Sequence, residues 1–299
     1  MICLMYHRLD LRVNYERFSG TEHIFTLPVD EFKRQIAYLK DAGYTFVMPD
    51  QVRRYLNGDL VLQEPSVLIT FDDGCLSVKR CALPILEQYG ACATVFVTTD
   101  PNSYIFKLGD GTEHRLTDED LRAIEGDIIN VESHAVTHRP LTGLSADEIH
   151  FELTESKKDL ERLILREVAY LSIPGNWYNS EVMRIARAVG YKAVWCSNPG
   201  TIRANANPFG LSRLNVEGYL NLPQFIFSIS PQGIAQRKVV SAIKRLPSSL
   251  LGPQYWLCAR RFIMTCIPGG HLSRQRVIKA GVALMVLIVL LILGWLFLL

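Results

Sequence analysis

Short apolar runs alternate with helix-period segments from Ile2 as far as Cys196, and this alternation constrains the chain more than any other feature. Residues 2–7, 44–48, 66–71, 93–98, 128–132, 169–173 and 191–196 read as strands. Helical patterns fill 29–42, with Phe32, Ile36, Leu39 and Ala42 on one face, and then 117–124, 145–164 and 180–188. A short helix ends near Asn57-Gly58. Strands that alternate with helices run parallel, because each helix carries the chain back to the same end of the sheet. The expected class is therefore α/β, as a barrel or an open sheet.

Two clusters of polar residues interrupt this pattern, each directly after an apolar strand. The first is Thr70-Phe71-Asp72-Asp73-Gly74. Adjacent carboxylates at a strand end repel each other, and burial penalises their charge, so a bound cation would relieve both costs. An ordinary Asp-Asp-Gly turn is the plain alternative. The second is Ser133-His134-Ala135-Val136-Thr137-His138. Imidazoles four residues apart share one face of a helical turn and can offer two nitrogens to one metal. Two unrelated loop histidines are the alternative there. Strand ends of a parallel barrel converge on one face, which favours reading the two clusters together.

With these residues the sequence resembles the NodB-homology polysaccharide deacetylases, carbohydrate esterase family 4, over roughly residues 1–225. Thr70 to Gly74 looks like the family's first motif, and Ser133 to His138, with Leu141 after it, looks like the second. The resemblance implies a distorted (β/α) barrel in which Asp73, His134 and His138 bind a divalent metal, usually zinc (Zn2+). Asp72 would be the general base. The implied reaction is removal of an N-acetyl group from an amino-sugar glycan or lipid-linked sugar by a metal-activated water.

Later segments depart from the family pattern. Ser172-Ile173-Pro174-Gly175-Asn176 is similar to the family's Arg-Pro-Pro-Tyr segment but lacks the arginine that orients the base. Arg213, in Leu211-Ser212-Arg213-Leu214-Asn215-Val216, resembles an arginine of one family branch and is expected to substitute for it. A Leu-x-His motif, the usual source of the acid, is not found, and His271 is a poor candidate. His7 ends the first strand, as in branches that act in exopolysaccharide synthesis. It is expected to line the site and to bind the acyl group or supply the proton. Trp177 or Tyr178 would shape the sugar pocket. Two alternatives use the same residues: a glycan-binding pseudoenzyme, and a deacylase of another C–N amide such as a formylated amino sugar.

The end of the chain has a different character. Residues 229–299 contain no Asp or Glu and nine basic residues, leaving 23 basic against 30 acidic residues before them. We expect a catalytic domain over 1–228, a basic amphipathic region over 229–279 and a transmembrane helix over 280–299. That last stretch is free of charge, and about 20 apolar residues span a bilayer core. The basic tail suits an anionic membrane surface, and no nucleic-acid partner is expected. No signal peptide is visible at the start, and Arg274, Arg276 and Lys279 precede the apolar run. The positive-inside rule then puts the catalytic domain in the cytoplasm. Seven cysteines without framework spacing fit a reducing compartment.

Overall fold

The computed structural model describes residues 1–15, 22–103 and 115–251. In chain order the strands are β1 (Ile2–Tyr6), β2 (Arg8–Asp10), β3 (Thr26–Pro28), β4 (Thr45–Phe46), β5 (Ser66–Phe71), β6 (Ala93–Val97), β7 (Ile129–Ser133), β8 (Tyr170–Ser172), β9 (Ala193–Trp195), β10 (Phe209–Leu211) and β11 (Leu214–Asn215). The helices are α1 (Arg12–Tyr15), α2 (Glu22–Phe25), α3 (Val29–Asp41), α4 (Pro49–Asn57), α5 (Leu83–Tyr89), α6 (Asp118–Ile124), α7 (Ala146–Ile164), α8 (Ser180–Val189), α9 (Leu222–Ile229) and α10 (Pro231–Leu251).

Every pairing in the main sheet is parallel, in the order β10-β9-β8-β7-β6-β5-β1-β11, with β4 also beside β5. The expected barrel is incomplete, since no ladder joins β10 to β11 among the described residues. Those two edge strands are separated in sequence only by Ser212 and Arg213. Three Cα steps of about 3.8 Å hold Leu211 and Leu214 within about 11 Å of each other. The seam is thus bridged by the chain itself, and Arg213 lies in it.

Strand alternation sorts the side chains into two cores. Leu4, Ile69, Val95 and Val131 face outward and pack with Ile36 of α3, Leu86 of α5, Leu153 of α7 and Val182 of α8. Cys3, Leu68, Phe96 and Trp195 face inward and meet Val52 and Leu56 of α4. Burying those two α4 side chains contributes about 1.5–3 kcal/mol each. Inward positions change character along the strands. On β5, Leu68 is followed by Thr70 and then by Asp72, so the apolar floor gives way to a polar mouth at the C-terminal ends.

Residues Met1–Ala242 form one compact unit, and a second begins at Ile243. The first extends past α9: Ile234 is buried, and Arg237 donates to the Asn215 carbonyl and to Glu217, both at 2.8 Å. The start of the basic region expected over 229–279 forms the end of α9 and then α10. The basic stretch 252–279 and the apolar run 280–299 lie outside the described residues. Among those described, no helix is long and apolar enough to cross a membrane.

Candidate metal centre

Asp72 follows β5 and keeps that strand's direction, its N–H donating to the Tyr6 carbonyl at 2.9 Å. Alternation turns its side chain inward, where it is 3% exposed. Arg213 meets it with two parallel bonds, Nη1 to Oδ1 at 2.6 Å and Nη2 to Oδ2 at 2.8 Å. The same guanidinium donates to Ser172 Oγ at 2.7 Å, Thr70 Oγ1 at 3.2 Å and the Cys196 carbonyl at 3.4 Å. All five guanidinium N–H groups are therefore used, as a fully buried arginine requires. Ser172 Oγ completes the cluster by donating to Asp72 Oδ2 at 3.0 Å. Burial pushes the Asp72 carboxyl up, but the charge of Arg213 above all and the Arg213 bonds outweigh it. The group is held well below the usual carboxylate range.

Asp73 leaves the strand. Its φ of 79° is left-handed, and Gly74 follows at 90°. This turn defeats the alternation that would point the two aspartates to opposite faces, so both reach the same mouth. Asp73 Oδ1 is buried and accepts no hydrogen bond. Burial first, and the Asp72 charge second, push its carboxyl up to about 6 against the opposing charges of His7 and Arg213.

His134 follows β7 and is 1% exposed. Its Nδ1 lies 2.8 Å from the Ser172 carbonyl, so it carries the proton and Nε2 is left with its lone pair. That Nε2 is 3.6 Å from Asp73 Oδ1 and 3.9 Å from Asp72 Oδ2. His138 Nε2 is 3.4 Å from Asp73 Oδ1. Burial pushes both imidazoles down, His134 to about 3, so both are neutral at ordinary pH. The expected helical turn is not how they meet. Ala135 and His138 have φ of 62° and 63°, which no right-handed turn accommodates, and residues 134–138 form a loop folded back on itself. The ring centroids are 5.0 Å apart.

Asp73, His134 and His138 offer ligand atoms that all lie within 4.8 Å of one another. Two neutral imidazoles thus crowd a buried carboxylate oxygen that accepts no hydrogen bond, an arrangement that a cation between the three would satisfy. That orphaned oxygen and the mixed N/O donor set fit a divalent metal.

The structure also places the remaining expected residues. Arg213 reaches Asp72 from the seam. His7 follows β1, half-buried, with its ring 4.7 Å from that of Phe25. It is near enough for its charge to act on both aspartates. Trp177 folds onto Gly175, where a Cβ would stand 2.7 Å from its Cδ1. Tyr178 accepts a bond from Asn198 at 2.5 Å. Sequence reasoning missed the roles of Thr70 and Ser172 in holding Arg213. Their only signal was that small hydroxyl residues occupy inward positions beside a charged mouth.

A sequence profile of the polysaccharide deacetylase family matches residues 60–194. The protein YxkH of Bacillus subtilis (strain 168), whose name places it among polysaccharide deacetylases, is 30% identical over 213 residues, covering 71% of this chain and 70% of that protein. The poly-beta-1,6-N-acetyl-D-glucosamine N-deacetylase of Escherichia coli (strain K12) is 30% identical over 76 residues, 25% of this chain and 11% of that protein. In fold, the chain is similar to the Streptococcus pyogenes deacetylase PplD in complex with acetate. Their TM-score is 0.67 at 24% identity, over 77% of this chain and 98% of the other. With a candidate metal trio beside an arginine-held carboxylate, and a relative aligned over most of both chains, the chain belongs to the polysaccharide deacetylase family of carbohydrate N-deacetylases.

Proposed function

We propose that the chain removes an N-acetyl group from an amino-sugar glycan or lipid-linked sugar, with Asp72 as general base. Asp73, His134 and His138 would hold the metal, zinc by its fit to two imidazoles and one carboxylate. Bound there, the metal supplies Lewis-acid polarisation of the acyl oxygen and acidification of water.

The observation that carries this reading is the position of Asp72. It lies 3.9 Å from His134 Nε2, beside the trio and outside it. A carboxylate has about four lone-pair sites. Arg213 takes two and Ser172 a third, so about one remains to accept a proton from water as it attacks the carbonyl carbon. Arg213 and Ser172 orient that carboxylate and keep it ionised. When the C–N bond breaks, the amine nitrogen needs a proton. His7 is proposed to donate it, since it sits at the same mouth and within electrostatic range of both aspartates.

The amino-sugar substrate is supported by the name of the Escherichia coli relative. A membrane-associated substrate is supported by the charge-free run 280–299 and the basic residues before it. On the positive-inside argument we place the catalytic domain on the cytoplasmic side, with 280–299 as the anchor. The central test is Asp72→Asn on an N-acetylglucosamine oligomer. Acetate release should be lost while zinc binding is retained, and full activity in that variant would overturn the assignment of the base.

A further inference from the structure

His138 closes the loop 134–138 that follows β7. Ala135 and His138 are left-handed, and from the segment after β6 the Thr99 and Asp100 N–H groups donate to the Ala135 and Val136 carbonyls at 3.3 and 2.9 Å. Ser103 Oγ likewise donates to the Thr137 carbonyl at 3.1 Å, so the carbonyls are held from that side, while the N–H groups of Val136 and Thr137 are held from α7. Glu152 is fully buried on the inner face of the helix, and its Oε2 accepts the N–H groups of Val136 and Thr137, each at 2.9 Å. Its Oε1 accepts the Thr137 hydroxyl and is covered by Arg139, with Nη2 at 3.3 Å and Nε at 3.4 Å. One turn further along α7, Ser156 Oγ lies 2.8 Å from Ser133 Oγ, which also accepts the Ala135 N–H at 3.3 Å. The helix thus holds the loop at its start and again directly before His138. A buried carboxylate is costly, and accepting two backbone N–H groups and a hydroxyl offsets that cost only while the loop keeps this shape.

We infer that Glu152 is the positioning residue for His138, and that it sets metal affinity without touching the metal. This rests on the metal-site reading above. A glutamine at 152 has nearly the same volume. However, it carries no charge, and its NH2 must face either the two backbone N–H groups or Arg139, all of which can only donate. The clamp on the loop is then weakened, and with it the placement of His138 Nε2 beside Asp73 Oδ1.

Zinc titrated into the chelator-treated full chain against a chromophoric competitor provides the test. Outer partners that orient ligands typically change metal affinity about 10–100-fold, so Glu152→Gln should weaken zinc binding by about tenfold or more. Excess zinc should restore its acetate release. Val52→Ala, a truncation of an α4 side chain in the inward core, serves as the stability control. It should lower the melting temperature and leave zinc affinity within about twofold. Equal affinity in Glu152→Gln and wild type, or an equal loss in Val52→Ala, overturns the inference while leaving the metal site standing. Wild type that binds no zinc overturns both. If Glu152→Gln is not recovered folded, Thr137→Val replaces it by removing one bond to Glu152. About a threefold loss is then expected, and unchanged affinity overturns the inference.

Discussion

Arg213 holds Asp72 through two parallel bonds of 2.6 and 2.8 Å across 141 residues of sequence, from the seam where the parallel sheet fails to close. The pair is buried, so its partners depend on each other. Arg213→Ala leaves a buried carboxylate without its counter-charge, a loss of about 3–5 kcal/mol. At about 2–4 °C per kcal/mol, that lowers the melting temperature by about 10 °C. Arg213→Lys keeps the charge but gives up the paired geometry and most of the five donors. It should fold, bind zinc with unchanged stoichiometry and lose about tenfold or more in kcat, because the base is no longer oriented. Thermal melts, zinc titration and acetate release measured on both variants separate these outcomes.

The orphaned oxygen of Asp73 makes a second prediction. Equilibration with a strong chelator should abolish acetate release, and added zinc should restore it. Asp73→Asn is the matching variant. Asparagine tolerates the left-handed backbone found here, so the change removes the negative charge and spares the turn. Zinc affinity should fall by more than the roughly 10–100-fold typical of losing an outer partner. An Asp73→Asn protein that binds zinc as tightly as wild type would remove Asp73 from the ligand set.

Much of this fold was legible because the signal was local. β5 was expected over the residues where it forms, since a continuous apolar run ending in a polar cluster has few other uses. The helices α3, α6, α7 and α8 came within a residue or so of their expected bounds, the last three with Thr117, Ser145 and Asn179 as side-chain caps. α5 was not anticipated. A π turn over Val78–Ala82 and a proline at its second position break the 3.6-residue pattern there. β10 and β11 are three and two residues long, too short to show a period. At the site, the strand-end convergence of Asp72, Asp73, His134 and His138 was legible, but the path of the chain between the histidines was not. Glu152 sits in a charged helix and looks solvent-facing until the loop that needs it is in place. Such partners are set by tertiary contact, which leaves no periodic trace.

At the first turn of α6, Asp120 offers a pH prediction away from the metal. Lys79 donates to it at 2.6 Å, and the Thr117 N–H and hydroxyl at 3.0 and 2.8 Å. Slight burial acts to raise its carboxyl, but these partners outweigh it and bring the group down to about 2, against 3.8 unperturbed. A folded-state value below the unfolded one stabilises at neutral pH, and the contribution is lost as pH falls through about 2. Screening at this partly exposed pair reduces the contribution to about 1 kcal/mol. Asp120→Asn should therefore be less stable than wild type in urea at pH 7, with the gap narrowing below about pH 4. A gap that stays constant down to pH 3 would contradict the assignment.

His7 is the residue whose chemistry most needs a direct test, because proton donation and acyl binding would both place it at this mouth. The leaving group separates them. An amine leaves poorly unless protonated, whereas 4-nitrophenolate leaves as the anion. If His7 supplies the proton, His7→Ala should slow release of acetate from an N-acetylglucosamine oligomer by about 10²–10⁴-fold, the usual contribution of a positioned acid. Hydrolysis of 4-nitrophenyl acetate by the same variant should change by less than about tenfold. If His7 instead binds the acyl group, both substrates lose activity in parallel, since they present the same acetyl moiety to the same pocket. Zinc content measured alongside guards against loss of the metal, and His7→Ala should match wild type in that respect because His7 is not one of the three converging ligands.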